Sequence, residues 1–250
     1  MKSFQDHFSG HAQVYSDARP SYPDELFRFL ASSVSCNRQA WDCATGNGQS
    51  AIGLAGYFDH VVATDGSSEQ IAQAPSRPNI DYRVAVAEEH ILPPASVDLV
   101  TVAQALHWLD LERFFPVVDA ALKPEGVLAI WSYGIHTIDP AVDTVINRLY
   151  RETLDGYWTP ERAMVEEGYR HIEFPFSPVE NPGFSMSLQW SRPQVEEYLR
   201  SWSAVQKYLK VNRVDPVTEL SCPLAAAWGK SEFKTITWPL TLVLRQKPGL

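Results

Sequence analysis

Two acidic residues and two glycines form the pattern in this chain with the clearest chemical meaning. Asp42 ends a short apolar run, Gly46 and Gly48 follow it closely, and Asp65 ends the next apolar run. A glycine turn at the carboxyl end of a strand lets backbone N–H groups approach a ligand, because no side chain blocks them. An acid at the end of the next strand can accept hydrogen bonds from both hydroxyls of a ribose. The pattern therefore predicts a site for a nucleoside-containing cofactor.

The glycine pattern alone fits more than one cofactor. Gly46-Asn-Gly48-Gln-Ser-Ala51 satisfies the G-x-G-x-x-G/A dinucleotide fingerprint, and Asp65 lies at a suitable distance downstream. Asp42, directly before the turn, would repel a pyrophosphate but suits a cationic amino group. The acidic pair Glu88-Glu89 could accept a hydrogen bond from an adenine amino group, and a polar and aromatic cluster follows at Gln104-Ala-Leu-His-Trp108. These features favour a cofactor other than NAD.

The segments around these residues alternate between short apolar runs and helical periodicity. This alternation is typical of a parallel sheet with helices on both faces, so we predict a doubly wound α/β fold. Val97–Ala103 is apolar at nearly every position, as expected for a central strand buried on both sides. The predicted strands are 40–44, 60–64, 80–86, 97–103 and 127–133, and the predicted helices are 24–33, 49–57, 69–74 and 111–122.

The pattern changes after residue 134. Helices are predicted at 141–154, 193–202 and 215–228, and the last apolar run predicts a closing strand at 235–244. We interpret the region between as a helical cap inserted before the final strand of a single domain. Its parts are an N-terminal lid with the first helix (1–35), a cofactor-binding core (36–134), the cap (135–230) and the closing strand (231–250).

Composition argues against several classes of function. The 250 residues are 45% hydrophobic, enough for one substantial core. The net charge of -9 argues against a nucleic-acid surface, which needs a basic face. The three cysteines have neither metal-ligand spacing nor a disulfide pattern, so we expect no metal. Because the N-terminus lacks an apolar run and no stretch approaches roughly 18 consecutive apolar residues, we expect a cytoplasmic protein that does not bind membranes.

Six segments occur in an order that matches one known family. They are Tyr15–Pro23, Trp41–Gly48, Ala63–Asp65, Val86–Glu88, Ala103–Trp108 and Leu122–Trp131. Together they resemble the class I S-adenosylmethionine-dependent methyltransferases, in the small-molecule group called methyltransferase type 11 or trans-aconitate-methyltransferase-like. The resemblance implies a Rossmann-like, mostly parallel seven-stranded sheet and S-adenosyl-L-methionine as cofactor, with S-adenosyl-L-homocysteine as product. One departure is Ala44 at the first glycine of the family pattern; alanine can keep φ negative there.

The resemblance implies a role for each matching position. The turn from Asp42 to Gly48 would surround the methionine part, Asp65 would receive the ribose, and Glu88 the adenine. Tyr15 would lie near the transferring methyl group and Arg19 near a carboxylate, in a segment folded over the cofactor; a surface arm with a structural Arg–acid pair is the alternative. Capping of the following helices is the alternative for Asp42 and Asp65. The predicted cofactor-binding residues are Tyr15, Arg19, Asp42, Ala44, Gly46, Gly48, Gln49, Asp65, Gly66, Ala87, Glu88, Gln104 and Ala105.

The acceptor side of the site is predicted from residues that follow the fourth and fifth strands. The predicted substrate-binding residues are Tyr15, His107, Trp108, Trp131 and Tyr133. His107 is the candidate catalytic base, because the pKa of a histidine can be tuned near neutrality; packing is the alternative. A carboxylate acceptor needs no base, and it becomes plausible if Arg19 or Arg162 points inward.

The predicted reaction moves a methyl group to an oxygen, nitrogen or carbon nucleophile of a small molecule by in-line displacement. Nucleic acid is not an expected partner, and a monomer and a homodimer are both compatible with the sequence. Two alternatives remain. An NAD(P)-dependent oxidoreductase would need a hydride-transfer set such as Tyr-x-x-x-Lys, which is not obvious here. A module that binds S-adenosylmethionine without methylating anything would share the glycine turn, and turnover to S-adenosylhomocysteine would distinguish it.

Overall fold

A mixed eight-stranded sheet lies at the centre of the computed structural model, which describes residues 20–249. Its strands are β1 (Gln39–Cys43), β2 (His60–Asp65), β3 (Ile80–Val84), β4 (Val97–Ala103), β5 (Leu122–Tyr133), β6 (Ser177–Val179), β7 (Phe184–Trp190) and β8 (Lys234–Gln246). Seven strands follow the order β3-β2-β1-β4-β5-β8-β6, and β7 pairs with β8 beside this path. The first five are mutually parallel, and β8 runs antiparallel to its neighbours.

Helices connect the strands, and several more lie in the chain after residue 139. They are α1 (Asp24–Ser32), α2 (Gln49–Leu54), α3 (Ser68–Ala72), α4 (Leu111–Ala121), α5 (Pro140–Arg148), α6 (Arg162–Glu166), α7 (Arg192–Arg200), α8 (Ser203–Asn212) and α9 (Pro216–Trp228). A 3₁₀ turn covers Leu106–Trp108, and a π-helical turn, Leu149–Thr153, continues α5.

The predicted fold class is confirmed, and the differences lie mainly in the second half of the chain. The third strand ends at Val84 and not at residue 86, and the closing strand is longer than predicted. The segment predicted as a helical cap also contains β6 and β7. Along β7 the exposure of the side chains alternates, which is the period of a strand, but proline-rich sequence before it obscured the signal.

Two apolar cores cover the two faces of the sheet. One packs α1, α2 and the helices α5, α7, α8 and α9 against residues such as Trp131 and Trp238. The other packs α4 and the segment around α6 against residues such as Trp41. Trp41 is fully buried, and its indole N–H donates to Thr64 Oγ1 at 2.9 Å, which ties β1 to β2. The sheet is therefore covered on both sides, as a parallel sheet requires.

The long strand β8 joins the second half of the chain to the sheet. From Leu240 to Gln246 it pairs with β5, and from Lys234 to Leu240 it pairs with β7. The helix α9 packs against α5 and α7, and all three helices belong to the core that covers one face of the sheet. The segment between β5 and β8 is thus held by main-chain hydrogen bonds as well as by side-chain packing.

In residues 20–249 no helix combines the length and the apolar character needed to cross a bilayer. The same residues contain no group of His, Cys, Asp and Glu side chains arranged to hold a metal ion. Cys43 is buried, Cys36 and Cys222 are exposed, and all three are free thiols.

His136 follows β5 and lies in an aromatic cluster of the first core. The rings of Tyr198, Trp202 and Trp238 have their centroids 5.3, 6.1 and 5.6 Å from the imidazole centroid. The residue is only 3% exposed, and neither ring nitrogen has a hydrogen-bond partner in the described part of the chain. Burial lowers the pKa of His136 from 6.5 to about 4, so the ring is neutral at neutral pH.

Replacing His136 by Leu should weaken the dependence of stability on acid. Between pH 6.5 and about 4 the unfolded chain binds a proton at this position that the folded chain does not, so stability falls as the pH falls through this window. The leucine variant loses this contribution, on the order of 3 kcal/mol across the full window. Urea unfolding at several pH values measures it.

The matched control is His90→Leu, because His90 is exposed. This control should keep the wild-type dependence on pH. The prediction would be contradicted if the stability of His136→Leu fell as steeply as that of the wild-type protein when the pH is lowered.

Candidate functional site

The turn between β1 and α2 has an unusual backbone. Ala44, Gly46 and Gly48 have φ angles of 54°, 58° and 84°, in the left-handed region. A Cβ atom on Gly48 would lie 2.5 Å from Tyr82 Oη, so only glycine fits there. On Gly46 the single atom that it would meet within 4 Å among residues 20–249 is Gln70 Oε1, at 3.9 Å, so these residues leave this side of the turn open to a ligand.

Ala44 differs from the expectation that alanine would keep φ negative at this position. The chain must turn at once after β1 so that the Thr45 N–H can donate to the Thr64 carbonyl on β2, at 2.9 Å. This connection holds Ala44 in the left-handed region, which costs roughly 1–2 kcal/mol for a residue with a Cβ atom.

The Asp42 carboxylate lies beneath the turn and is fully buried. The hydroxyl of Thr101 on β4 donates to Oδ1 at 2.7 Å, and that of Thr45 donates to Oδ2 at 2.5 Å. Burial raises the pKa of Asp42 to about 6, although these two hydrogen bonds lower it in part. Asp42 therefore organises the turn from inside the protein, and its predicted contact with a cofactor amino group stays a prediction.

Asp65 connects the turn to β2. Its Oδ2 accepts the Gly46 N–H at 2.8 Å, and its Oδ1 accepts the Ser67 N–H at 2.9 Å, next to Gly66. The Ser67 hydroxyl in turn accepts the Gln70 N–H at the start of α3. The side chain of Ser67, and not that of Asp65, therefore caps α3, and contact of Asp65 with the hydroxyls of a ribose stays a prediction.

Glu88 and Glu89 have different environments after β3. Glu88 is half-buried, and its Oε1 accepts the Asp110 N–H at 2.9 Å, which joins this loop to the start of α4. Glu89 is exposed, and Ala87 is buried. The structure therefore brings Ala87 and Glu88 to the same edge of the sheet as the glycine turn, with Glu89 beside them in solvent; contact of Ala87 and Glu88 with an adenine stays a prediction.

Gln104 and Ala105 continue the site after β4. Gln104 has a left-handed φ of 55°, its N–H donates to the Trp131 carbonyl at 2.8 Å, and its side-chain amide donates to the Tyr133 carbonyl at 3.1 Å. Ala105 is buried. A non-glycine residue held in this region marks a position where the surroundings determine the backbone. Gln104 therefore links the ends of β4 and β5.

His107 is buried in the 3₁₀ turn and has a partner that the sequence did not indicate. Its Nδ1 lies 3.2 Å from Tyr169 Oη, and the ring lies 4.8 Å from that of Trp108. Burial lowers the pKa of His107 to about 4, and the positive charge of Arg162 adds to the effect. A general base works best with a pKa near the working pH, so the pKa of His107 lies well below the near-neutral value expected from the sequence.

Trp131 and Tyr133 are enclosed on the opposite side. Trp131 is fully buried, with its ring 5.4 Å from Tyr22 and 6.4 Å from Phe27, between the sheet and α1. Both residues belong to the core that covers this face, whereas Tyr169 belongs to the other core. The structure therefore does not place their side chains beside the partner of His107. Tyr15 and Arg19 lie outside the described residues.

Arg162 is held by two aromatic rings at the start of α6. Its guanidinium carbon lies 5.7 Å from the ring centroid of Tyr150 and 5.3 Å from that of Trp158. Its Nε donates to Tyr150 Oη at 3.0 Å and lies 3.9 Å from a carboxylate oxygen of Glu166. In residues 20–249 its two terminal nitrogens have no hydrogen-bond or ion-pair partner. Tyr169 was not predicted as a site residue, because no helix or strand was predicted between residues 155 and 192.

Comparisons with known proteins agree with this geometry. Residues 41–130 match a family described as a methyltransferase domain. A Dictyostelium discoideum protein described as a methyltransferase is 33% identical, over 98% of this chain and 96% of that protein. A Saccharomyces cerevisiae protein described as an S-adenosylmethionine-dependent methyltransferase is 26% identical, over 81% of this chain and 82% of its own length.

The solved structures give the same result. The structure of a protein from Anaeromyxobacter dehalogenans, described as a type II methyltransferase, has a TM-score of 0.88 and 40% identity, over 93% of this chain and 99% of that chain. The YcgJ protein from Bacillus subtilis has a TM-score of 0.55 at 14% identity, over 91% of this chain and 100% of that chain, which shows a shared fold.

The buried Asp42 should make stability depend on pH in the opposite direction to His136. Its pKa is raised from 3.8 to about 6, so its contribution to stability is full below pH 3.8 and is lost as the pH rises through about 6. Asp42→Asn cannot ionise, so its stability relative to the wild-type protein should increase by about 3 kcal/mol between roughly pH 4 and pH 7. Urea unfolding of both proteins across this range measures the difference.

Asp155→Asn is the control, because this aspartate is exposed and should show no such change. If the stability of Asp42→Asn relative to the wild-type protein does not vary with pH, the buried carboxylate does not have the assigned pKa.

Proposed function

Because this chain belongs to the class I S-adenosylmethionine-dependent methyltransferases, we propose that it transfers the methyl group of S-adenosylmethionine to a small molecule by in-line displacement. The acceptor atom is an oxygen, nitrogen or carbon nucleophile. The observation that carries the proposal is the hydrogen bond from the Gly46 N–H to Asp65, because it unites the two halves of a nucleoside site. This contact lies at the carboxyl ends of β1 and β2, the edge where open α/β sheets bind ligands.

The residues at this edge fit the cofactor. The open side of Gly46 admits a ligand to the turn, Asp65 offers acceptors for the ribose hydroxyls, and Glu88 offers a carboxylate for the adenine amino group. Gln104 and Ala105 stand at the end of the neighbouring β4, where the methionine part would extend. When bound, the cofactor supplies a methyl group that is already activated as part of a sulfonium. The protein then has to align the acceptor and exclude water.

In this proposal, residues of the segment between β5 and β8 bind the methyl acceptor. The segment contributes Tyr169, which contacts His107, and Arg162, whose charge acts on His107 and whose guanidinium packs on Tyr150 and Trp158. A planar or partly apolar acceptor suits these aromatic rings.

A carboxylate acceptor is favoured by Arg162. Two aromatic rings and the Nε bond to Tyr150 fix the plane of its guanidinium, and its two terminal nitrogens are available to bind both oxygens of a carboxylate. The charge of Arg162 acts on both His107 and Tyr169, which places it in their electrostatic environment. A carboxylate is already ionised at neutral pH, so its methylation needs no general base.

Calorimetric titration with S-adenosylhomocysteine tests the cofactor site. The wild-type protein should bind it with a dissociation constant on the order of micromolar, and Asp65→Ala should weaken binding roughly 10- to 100-fold, because hydrogen bonds to a charged acceptor contribute about 1.5–3 kcal/mol. Asp81→Ala, which removes an acid paired with Arg83 on β3, is the matched control and should bind normally. Preference for NAD, or unchanged binding by Asp65→Ala, would contradict the proposal.

Turnover with a panel of small mono-, di- and tricarboxylic acids tests the acceptor class. Release of S-adenosylhomocysteine should occur with one or more acids and not with their amides. Arg162→Gln should lower kcat/KM at least about tenfold, because it removes the bidentate, charged donor.

Arg151→Gln, an exposed arginine on the π-helical turn, is the control and should be as active as the wild-type protein. Turnover restricted to uncharged acceptors would exclude the carboxylate class. Binding of S-adenosylhomocysteine without turnover of any acceptor would favour a module that only binds the cofactor.

A further inference from the structure

Tyr169 occupies a conformation that few tyrosines adopt. It follows Gly168 directly after α6, and the two residues have φ angles of 58° and 63°, both left-handed. The Tyr169 N–H donates to the Met164 carbonyl at 2.9 Å, and the Gly168 N–H donates to the Val165 carbonyl at 3.1 Å, so the turn ends the helix. Gly168 fits this region without cost, but Tyr169 does not. The tyrosine is only 2% exposed, so its burial outweighs the backbone strain.

The hydrogen bond between Tyr169 and His107 joins two uncharged groups. Burial raises the pKa of Tyr169 to about 12, although Ser132 and Arg162 lower it in part, so the phenol keeps its proton at neutral pH. His107 is neutral for the reason given above. A neutral imidazole carries one proton, on either Nδ1 or Nε2, and the partner of one nitrogen decides which.

Two arrangements are possible for this pair. In the first, the phenol donates to Nδ1 and the imidazole proton is on Nε2. In the second, Nδ1–H donates to the phenol oxygen and Nε2 has a free lone pair. An unprotonated imidazole nitrogen is a better acceptor than a phenol oxygen, and a phenol is a better donor than a neutral imidazole N–H. The first arrangement is therefore the more stable one.

We propose that Tyr169 is a positioning residue that fixes His107 as the Nε2–H tautomer, so that His107 donates a hydrogen bond in the acceptor site and does not abstract a proton. Nε2 has no hydrogen-bond partner in residues 20–249, so it is available to a ligand. That this ligand is the methyl acceptor rests on the proposed function. The Nε2–H group would hold an oxygen atom of the acceptor and fix the direction of its lone pair toward the methyl group.

This assignment restricts the chemistry at the site. A protonated Nε2 cannot remove a proton from an alcohol or a phenol, so the assignment suits a nucleophile that arrives ionised or carries a lone pair that needs no deprotonation. The charge of Arg162 acts on His107 more strongly than the charge of Glu161 does, so the surroundings of His107 are net positive. These surroundings suit an anionic acceptor that binds to the uncharged Nε2–H group.

Nitrogen NMR of the imidazole rings tests the proposal on unliganded protein. Long-range correlations between ring protons and ring nitrogens in the ¹⁵N-labelled protein at pH 7 distinguish the two tautomers, and His107→Gln identifies the signals of His107 because they disappear. The wild-type protein should show Nε2 protonated and Nδ1 unprotonated. Tyr169→Phe removes the phenol proton but keeps the ring, so both nitrogens should move toward the averaged signals of mixed tautomers.

The matched control is Tyr198→Phe. It also removes a buried hydroxyl, which accepts a hydrogen bond from the Trp238 indole at 3.0 Å, but this hydroxyl has no contact with His107. The control should leave the His107 signals unchanged, even where the loss of the hydroxyl lowers stability.

Two results would overturn the proposal. One is a wild-type spectrum in which Nδ1 of His107 carries the proton, and this spectrum is decisive even if Tyr169→Phe does not fold. The other is an unchanged tautomer in a folded Tyr169→Phe protein. Because the measurement uses neither cofactor nor acceptor, it is independent of the calorimetric test of the proposed function.

Discussion

The turn after β1 depends on a carboxylate that is fully enclosed by protein. Asp42 binds the hydroxyls of Thr45 in the turn and Thr101 on β4, so a single charged group joins the loop to the central strand. Burying it raises its pKa, which shows that the arrangement costs free energy at neutral pH. In return, the turn has one backbone conformation in which Gly46 reaches Asp65. The preorganisation of the nucleoside site therefore starts beneath the turn and not at its surface.

The sequence predicted the part of the site that local rules control. Glycines with positive φ, an acid at the end of β2 and alternating strands and helices are properties of short segments, so Gly46, Gly48 and Asp65 could be placed without coordinates. Tyr169 could not, because a tyrosine in a left-handed turn becomes informative only when its contact with a distant histidine is known. The pKa of His107 and the left-handed φ of Ala44 escaped prediction for the same reason, since burial and a neighbouring strand determine them.

Two buried histidines of this protein differ in whether their ring nitrogens have a polar partner. His136 has no polar partner in the described residues and is enclosed by aromatic rings, so its nitrogen atoms contribute nothing to recognition. His107 is buried to a similar degree, but one of its nitrogens is bonded to Tyr169. Both rings are neutral at physiological pH. Only the second has a fixed orientation of donor and acceptor, and that orientation is what a reactive site requires.

The strand β8 is continuous over thirteen residues, and its two halves pair with different strands. Its second half pairs with β5 on one side and with the short β6 of the inserted segment on the other, whereas its first half pairs with β7 of that segment. Substitutions at residues 234–239 therefore lie outside the ladder that β8 forms with β5. Under the proposed function such an architecture is evolvable: one scaffold can keep its cofactor while new acceptors are recruited by exchanging the inserted segment, and the shared strand keeps each new version in alignment with the sheet.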